Sequence, residues 1–301
     1  MSLQAELVRL GLRWLLKRGS DPPLTIAQHR QQIERFERWV PAPPAGTRTV
    51  HTPLGGVPAV RIATRASRPD RHILFLHGGG YVTGSPALYR QITWRIAGAA
   101  GARLAALDYR LAPEHPFPAA LDDAVAAWRG LLAEGADPRR ACILGDSAGG
   151  GLALALALRL RDEREPPPAA IVALSPWTDL ALTGASMRRD ADDDPMQDAA
   201  LAARFAACYL AGADPRQPYA SPLYGDPAGL SPTLIQVGSD EMLCDDAARM
   251  GERMRAAGCQ VELEVWPRMP HVWHVFAAVM PEARRAIARI GSFMRQHTDT
   301  S

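Results

Sequence analysis

Neither sign of charge dominates this chain: 34 lysines and arginines stand against 32 aspartates and glutamates over 301 residues, a formal net charge of +2. No basic run is interleaved with aromatics, so there is no electrostatic footprint for nucleic acid. Cysteine is scarce. Cys142, Cys208, Cys244 and Cys259 lie far apart and form no C-x-x-C pair; with no signal peptide they read as reduced, packed thiols of a cytoplasmic protein. A long hydrophobic run is missing as well. The N-terminal apolar stretch Leu7 to Lys17 is interrupted by Arg9 and Arg13, and no small-residue cleavage site follows, which excludes a membrane span and a secretory signal. A helix packed on the body of the protein is the main reading of that stretch, a basic amphipathic helix on a membrane surface the alternative, and no stable membrane insertion is expected. Internal repeats and low-complexity tails are absent.

What is present is an alternation. After two helical stretches, one with Leu7, Leu10, Trp14 and Leu15 able to share a face and one from Ile26 to Val40, Pro41, Pro43 and Pro44 end the helical texture. Pro22-Pro23 separate the two. Short β-branched runs follow at Thr47–Thr52, Val57–Ala63, Ile73–Leu76, Arg103–Asp108, Ala141–Gly145, Ile171–Leu174, Thr233–Val237 and Val261–Val265. Helix-length segments separate most of them: Gln91–Ala99, Ala119–Ala133, Gly150–Arg161 and Asp245–Ala257. The pattern predicts an α/β protein whose first two strands pair as a hairpin and lead into a mostly parallel sheet of about eight strands, covered by helices on both faces. Residues 181 to about 215 break the rhythm, with an acidic run (Asp190, Asp192 to Asp194) read as a solvated loop or helix start, then a helix over Asp198–Leu210.

The strongest local signal is Gly145-Asp146-Ser147-Ala148-Gly149-Gly150, a G-x-S-x-G match between the apolar run Ala141–Leu144 and the helix after it. A sharp strand–turn–helix exposes a serine hydroxyl only if its flanking residues lack side chains. At the helix start, free N–H groups and the helix dipole favour developing negative charge. The second signal, His77-Gly78-Gly79-Gly80-Tyr81, follows Ile73–Leu76. Fixed backbone donors stabilise the oxyanion of acyl transfer; Gly79, Gly80 and Ala148 are the candidate donors, while His77 and Gly78 shape the loop. The phosphate-binding patterns G-x-x-x-x-G-K-[ST] and G-x-G-x-x-G are not matched.

Serine needs a base, and in this kind of fold the chain order is serine, acid, histidine. His271 and His274 both lie soon after a late strand. His271, in a Pro-led loop six residues beyond Val265, is the candidate base, and His274 reads as a helix-face or pocket residue. The acid should follow Thr233–Val237, where Gly238-Ser239-Asp240-Glu241 stands. Asp240, at the strand's carboxyl end, is the choice, with Glu241 its competitor; Asp245 and Asp246 read as first-turn helix acids.

With these motifs, and with Asp108-Tyr109-Arg110-Leu111-Ala112-Pro113-Glu114-His115-Pro116-Phe117-Pro118-Ala119-Ala120, Ser175-Pro176-Trp177-Thr178-Asp179 and Pro270-His271-Val272-Trp273, the chain from about residue 45 resembles the bacterial hormone-sensitive-lipase family of esterases. The resemblance implies an α/β-hydrolase core over 46–301, a helical cap built from residues 1–45 and the insertion at about 181–215, and hydrolysis of short- to medium-chain acyl esters. It implies no cofactor or metal, a small-molecule ester as partner, and possible homodimers. Many relatives read Asp-Pro-Leu around the acid, whereas this chain has Asp240-Glu241-Met242-Leu243. Within the Asp108–Ala120 stretch, a pair between Arg110 and Glu114 would brace a Pro-rich loop. An amidase or lactonase using the same machinery, and a small-molecule receptor with inactive chemistry, are the competing readings.

Overall fold

The computed structural model describes residues 1–16, 24–189, 194 and 196–299. Two helices, α1 (Leu3–Leu16) and α2 (Ile26–Glu37), precede the hairpin β1 (Arg48–His51) and β2 (Ala59–Ala63). Then come β3 (His72–Leu76), α3 (Arg90–Ala100), β4 (Arg103–Leu107), α4 (Ala119–Ala133), β5 (Ala141–Asp146), α5 (Ala148–Asp162) and β6 (Ala170–Leu174). After α6 (Ala199–Leu210), the chain ends in β7 (Thr233–Gly238), α7 (Cys244–Ala256), β8 (Val261–Trp266) and α8 (Pro281–Thr298). The eight expected strands all form, within two residues of their expected bounds. The expected break at Pro22-Pro23 lies outside the described residues, as do Asp190, Asp192 and Asp193.

The strands make one sheet ordered β1-β2-β4-β3-β5-β6-β7-β8, antiparallel at β1/β2 and β2/β4 and parallel elsewhere. The middle strands are apolar throughout because both of their faces are covered. In β3, Leu74 and Leu76 join the core under α4, α5 and α7, while Ile73 and Phe75 join the core under α3 and α8. Helix α5 is buried on almost every side, which an Ala/Leu sequence with no polar stripe before Arg159 permits. Helix α8 is one-sided: Ala283, Ala286, Ile287, Ile290, Phe293 and Met294 form its buried face.

The chain leaves β3 outward to β4 and then returns to the other side of β3 to form β5. That reversal opens a crevice at the carboxyl ends of β3 and β5, where open parallel sheets bind ligands. In register, Leu76 faces Gly145, so the loop starting at His77 and the turn carrying Ser147 lie side by side.

Helix α1 packs on the body as expected, but its apolar stripe faces outward. Leu3, Leu7, Leu10 and Trp14 are exposed. The face turned inward holds buried Ala5 and three polar anchors: Ser2 donates to Glu282 of α8, Glu6 pairs with Arg268 at 2.8 Å, and Arg9 pairs with Asp240 at 2.6 Å. Residues 2, 6 and 9 share one helical stripe, about 100° around the axis from the apolar one. Helix α2 ends at Glu37, three residues before the expected Val40.

Candidate active site

Strand β5 ends in the turn that presents Ser147, whose φ of 53° and ψ of −122° place a non-glycine residue in a strained conformation. Packing shows why glycines flank it. A Cβ on Gly145 would run into the Gly149 carbonyl, and one on Gly149 into the Leu76 carbonyl of β3. The turn is pinned by Ser147 N–H donating to Leu174 O at 2.8 Å and Trp177 N–H donating to Ser147 O at 2.9 Å.

His271 Nε2 lies 2.9 Å from Ser147 Oγ. Its other nitrogen, Nδ1, lies 2.8 Å from Glu241 Oε2. The acid expected there was Asp240, and the structure corrects this: Asp240 turns away and pairs with Arg9. Glu241 is fully buried, and its second oxygen accepts from Ser175 Oγ at 2.7 Å and from Gly238 N–H at 2.6 Å. Ser175 Oγ also accepts from Val272 N–H at 3.2 Å, tying the acid to the loop that carries His271. Ser175 was quoted in a motif without a role; its position right after β6, one strand over from the serine turn, was the available signal.

The electrostatics suit a proton acceptor at Nε2. Burial alone would lower the His271 pKa, but the hydrogen bond and charge of Glu241, with Asp194 and Asp146 behind it, raise it above the ordinary histidine value. Burial pushes Glu241 upward, opposed by its bonds to His271, Ser175 and Gly238. His274, the other late histidine, does not reach Ser147. It is buried against Gln236 at 2.8 Å, stacks on Trp273, and is held to about 3 by burial.

The glycine loop after β3 sits beside this row. Gly78 N–H donates to Asp146 Oδ1 at 3.0 Å, so the first glycine is committed to bracing the loop against the serine turn. Asp146 was quoted in its motif without a role. Burial lifts its carboxyl to about 7, with the Tyr89 hydroxyl pulling the other way. The next two glycines have φ of 116° and 64°, a region open to glycine; a Cβ on Gly79 would meet the Thr83 carbonyl and one on Gly80 the Phe205 ring. Ala148 opens α5, where first-turn amides have no intrahelical acceptor. His77 is buried, bonds Gly78 O through Nδ1 at 2.7 Å and stacks on Tyr109 at 4.3 Å. Burial drops it to about 4, a neutral group that shapes the loop.

Helix α6, within the 181–215 segment, and helix α2 meet above the loop. Phe205 of α6, over Gly80, packs edge-on against His29 of α2, and Arg204 donates to Leu24 O at 2.8 Å. Asp194, read as part of a solvated acidic run, is instead buried and accepts from Met242 N–H at 2.9 Å. The expected Arg110–Glu114 pair does not form. Arg110 binds Asp123 of α4, while Glu114 binds Arg30 of α2 at 2.7 Å, tying the Pro-rich loop to α2. A cavity of about 560 Å³ opens nearby, lined by Arg30, Glu37, Thr83, Leu111 and Glu114 among others, but Ser147 and His271 do not line it. Among the described residues no cluster of three or more His, Cys, Asp or Glu side chains is placed to hold a metal ion.

A family model described as the alpha/beta hydrolase fold matches residues 73–275. The chain is 46% identical over 299 residues to an acetyl-hydrolase of Streptomyces hygroscopicus, covering 99% of this chain and 98% of that protein. It is 37% identical to an esterase of Acinetobacter venetianus, covering 80% and 79%. Among solved structures, a crystal structure of an esterase from the bacterial hormone-sensitive lipase family superposes with a TM-score of 0.93 at 46% identity, covering 99% of both chains. A hormone-sensitive lipase from a metagenome library superposes at 0.94 with 38% identity over 99% of both. The sheet order, the strained serine turn and these likenesses together make the chain a member of the bacterial hormone-sensitive-lipase family of α/β-hydrolases.

Proposed function

We propose that the chain is a serine carboxylesterase acting on short- to medium-chain acyl esters, with Ser147 as nucleophile, His271 as general base and Glu241, in place of Asp240, as the acid that orients the imidazole. The observation that carries this reading is the unbroken row from Ser147 Oγ through His271 to Glu241, with both links under 3 Å. The esterases and acetyl-hydrolase among its relatives support a carboxylic-ester hydrolase.

Nε2, free of its proton, accepts that of Ser147 as Oγ attacks the ester carbonyl. The imidazolium formed is stabilised by Glu241, which keeps its own charge and holds Nδ1–H in place. The carbonyl oxygen takes the negative charge against the N–H groups of Gly79, Gly80 and Ala148. His271 returns the proton to the leaving alcohol, giving an acyl-enzyme on Ser147. A water deprotonated by the same Nε2 then attacks the acyl carbon, and the imidazolium returns that proton to Ser147 Oγ as its bond to the acyl group breaks and the acid leaves. The roofing of the glycine loop by α2 and α6 supports the division into a cap (residues 1–45 and about 181–215) and a catalytic domain (46–301). The four cysteines are unpaired, which favours a reducing, cytoplasmic setting, and no helix among the described residues is long and apolar enough to cross a membrane. Homodimer formation remains part of the proposal, to be read by sedimentation.

The test is hydrolysis of p-nitrophenyl esters from acetyl to palmitoyl by the wild type and Ser147→Ala. Turnover that peaks at short or medium chains and is lost in the variant is expected. A folded protein inert on every ester but active on amides or lactones would move the assignment to those substrates, and one inert on all of them would favour a receptor.

A further inference from the structure

The turn that carries Glu241 is held from outside the sheet as well as from within. Its own ties are Gly238 N–H to Glu241 Oε1 at 2.6 Å, Cys244 N–H to Glu241 O at 3.2 Å and a long Glu241 N–H to Gly238 O contact of 3.4 Å, while Ser239 N–H donates to Trp266 O of β8 at 2.9 Å. Three charged side chains from elsewhere in the chain hold it too. Arg9 of α1, nearly buried, binds the Asp240 carboxylate through Nη2 at 2.6 Å. Arg189 Nη1 donates to the carbonyls of both Ser239 and Glu241, the latter at 2.8 Å. Asp194 accepts from the N–H of Met242. Arg189 and Asp194 both lie in the segment between β6 and α6.

A further bond sets the direction of the turn. Asp240 Oδ1 accepts from Ser239 Oγ at 2.9 Å, and Ser239 Oγ in turn accepts from Arg268 N–H at 2.8 Å, on the loop leading to His271. Two carboxylates stand side by side, and only one can face the imidazole. A charge-assisted pair to a nearly buried guanidinium is strong and directional. By fixing Asp240 outward, it leaves Glu241 as the residue aimed at His271.

We propose that Arg9 and Arg189 are positioning residues that make alignment of Glu241 on His271 depend on docking of the N-terminal helix and of the segment after β6. This rests on the serine-esterase reading above. The pair acts on the acid turn and not on substrate, so its loss lowers kcat and leaves KM for a small ester nearly unchanged. It also weakens the bond that raises the His271 pKa, so the acid limb of kcat/KM moves down toward the ordinary histidine value. His271 is also faced by Asp146, Asp194 and His274, none of which these substitutions alter.

The experiment compares Arg9→Met/Asp240→Leu, which removes the pair and leaves no unpaired charge, with Arg9→Lys and Arg189→Met. In the double variant kcat is expected to fall on the order of 10-fold, within the hundredfold that small misplacements of catalytic groups cost. KM should stay within about twofold, and the acid limb should shift down toward about 6.5. Arg9→Lys should recover most of the loss, and Arg189→Met should repeat it. The low-field NMR proton between His271 Nδ1 and Glu241 should broaden or move upfield in the double variant. A folded double variant with wild-type kcat, acid limb and low-field proton, changed only in melting temperature, would overturn the proposal. Should the double variant not fold, Arg189→Met decides by the same readouts. A wild type inert on every ester would instead count against the esterase reading, and the low-field proton would still report on the clamp.

Discussion

His271 stands between unequal partners, a hydroxyl on Nε2 and a buried carboxylate on Nδ1, and its charge state decides whether the row can work. Because Glu241 raises its pKa, the imidazole picks up a proton at a pH above the ordinary value near 6.5. Activity should therefore fall on acidification through a midpoint above about 6.5 as a single ionisation. A kcat/KM profile flat from pH 8 to well below 6 would remove His271 from the role of base. Ser175→Ala deletes one of three bonds to Glu241 and should cost roughly 1–2 kcal/mol of stability, with a smaller loss of kcat than any change to Ser147 or His271; a greater kcat loss than at those two would contradict the structure's ranking. Ser147 and His271 were legible in the sequence because steric rules tie a strained serine to its glycines and a base to a late loop. The acid was not. Asp240 and Glu241 are neighbours at the same strand end, and what separates them is Arg9, 231 residues away in the chain.

At the scale of elements, the middle strands were legible because burial on both faces writes nearly continuous apolar runs, and α3, α4, α5 and α7 because their lengths fill the gaps between them. Helix α1 was legible as a helix, but the face it turns inward was not. Hydrophobic periodicity assumes the apolar stripe faces inward, whereas here Ser2, Glu6 and Arg9 make specific polar contacts on the inward face. Two substitutions on this one helix should therefore behave oppositely to a periodicity rule. Leu10→Ser, at a position 58% exposed, should change unfolding stability by no more than about 0.5 kcal/mol. Ala5→Leu, at a position with no exposure, should cost about 1–3 kcal/mol by overpacking. Urea denaturation measures both, and a Leu10→Ser variant less stable than Ala5→Leu would contradict the observed orientation.

Over the whole molecule, sheet order determines what can meet. The reversal around β3 brings together the glycine loop, the serine turn and, through β6 to β8, the ends that carry Ser175, Glu241 and His271. Strand alternation predicts a parallel sheet but not its order, because the order depends on where each crossover helix lands. The same assembly buries carboxylates away from the reacting row. Asp246 accepts from Thr178 and Asp179 N–H groups at 2.8 and 2.9 Å, and burial lifts it to about 7. A carboxyl whose folded pKa exceeds its unfolded value holds its proton more tightly when folded, so it removes stability as pH rises through that interval. Replacement by asparagine keeps an acceptor and removes the charge. The melting temperature of Asp246→Asn relative to wild type should therefore rise between about pH 4 and about pH 7, then level off. A difference that is constant with pH would show that Asp246 titrates normally.

The central claim, that Ser147, His271 and Glu241 form the reacting row, is tested most directly by measuring kcat on p-nitrophenyl butyrate for Glu241→Gln and Asp240→Asn side by side. Glu241→Gln leaves the fold in place and should cost about 10⁴ in kcat, as loss of the orienting acid does in the serine triad template. Asp240→Asn should cost no more than about 10-fold, through the loosened turn. The reverse ranking, with Asp240→Asn crippling and Glu241→Gln mild, would contradict the account.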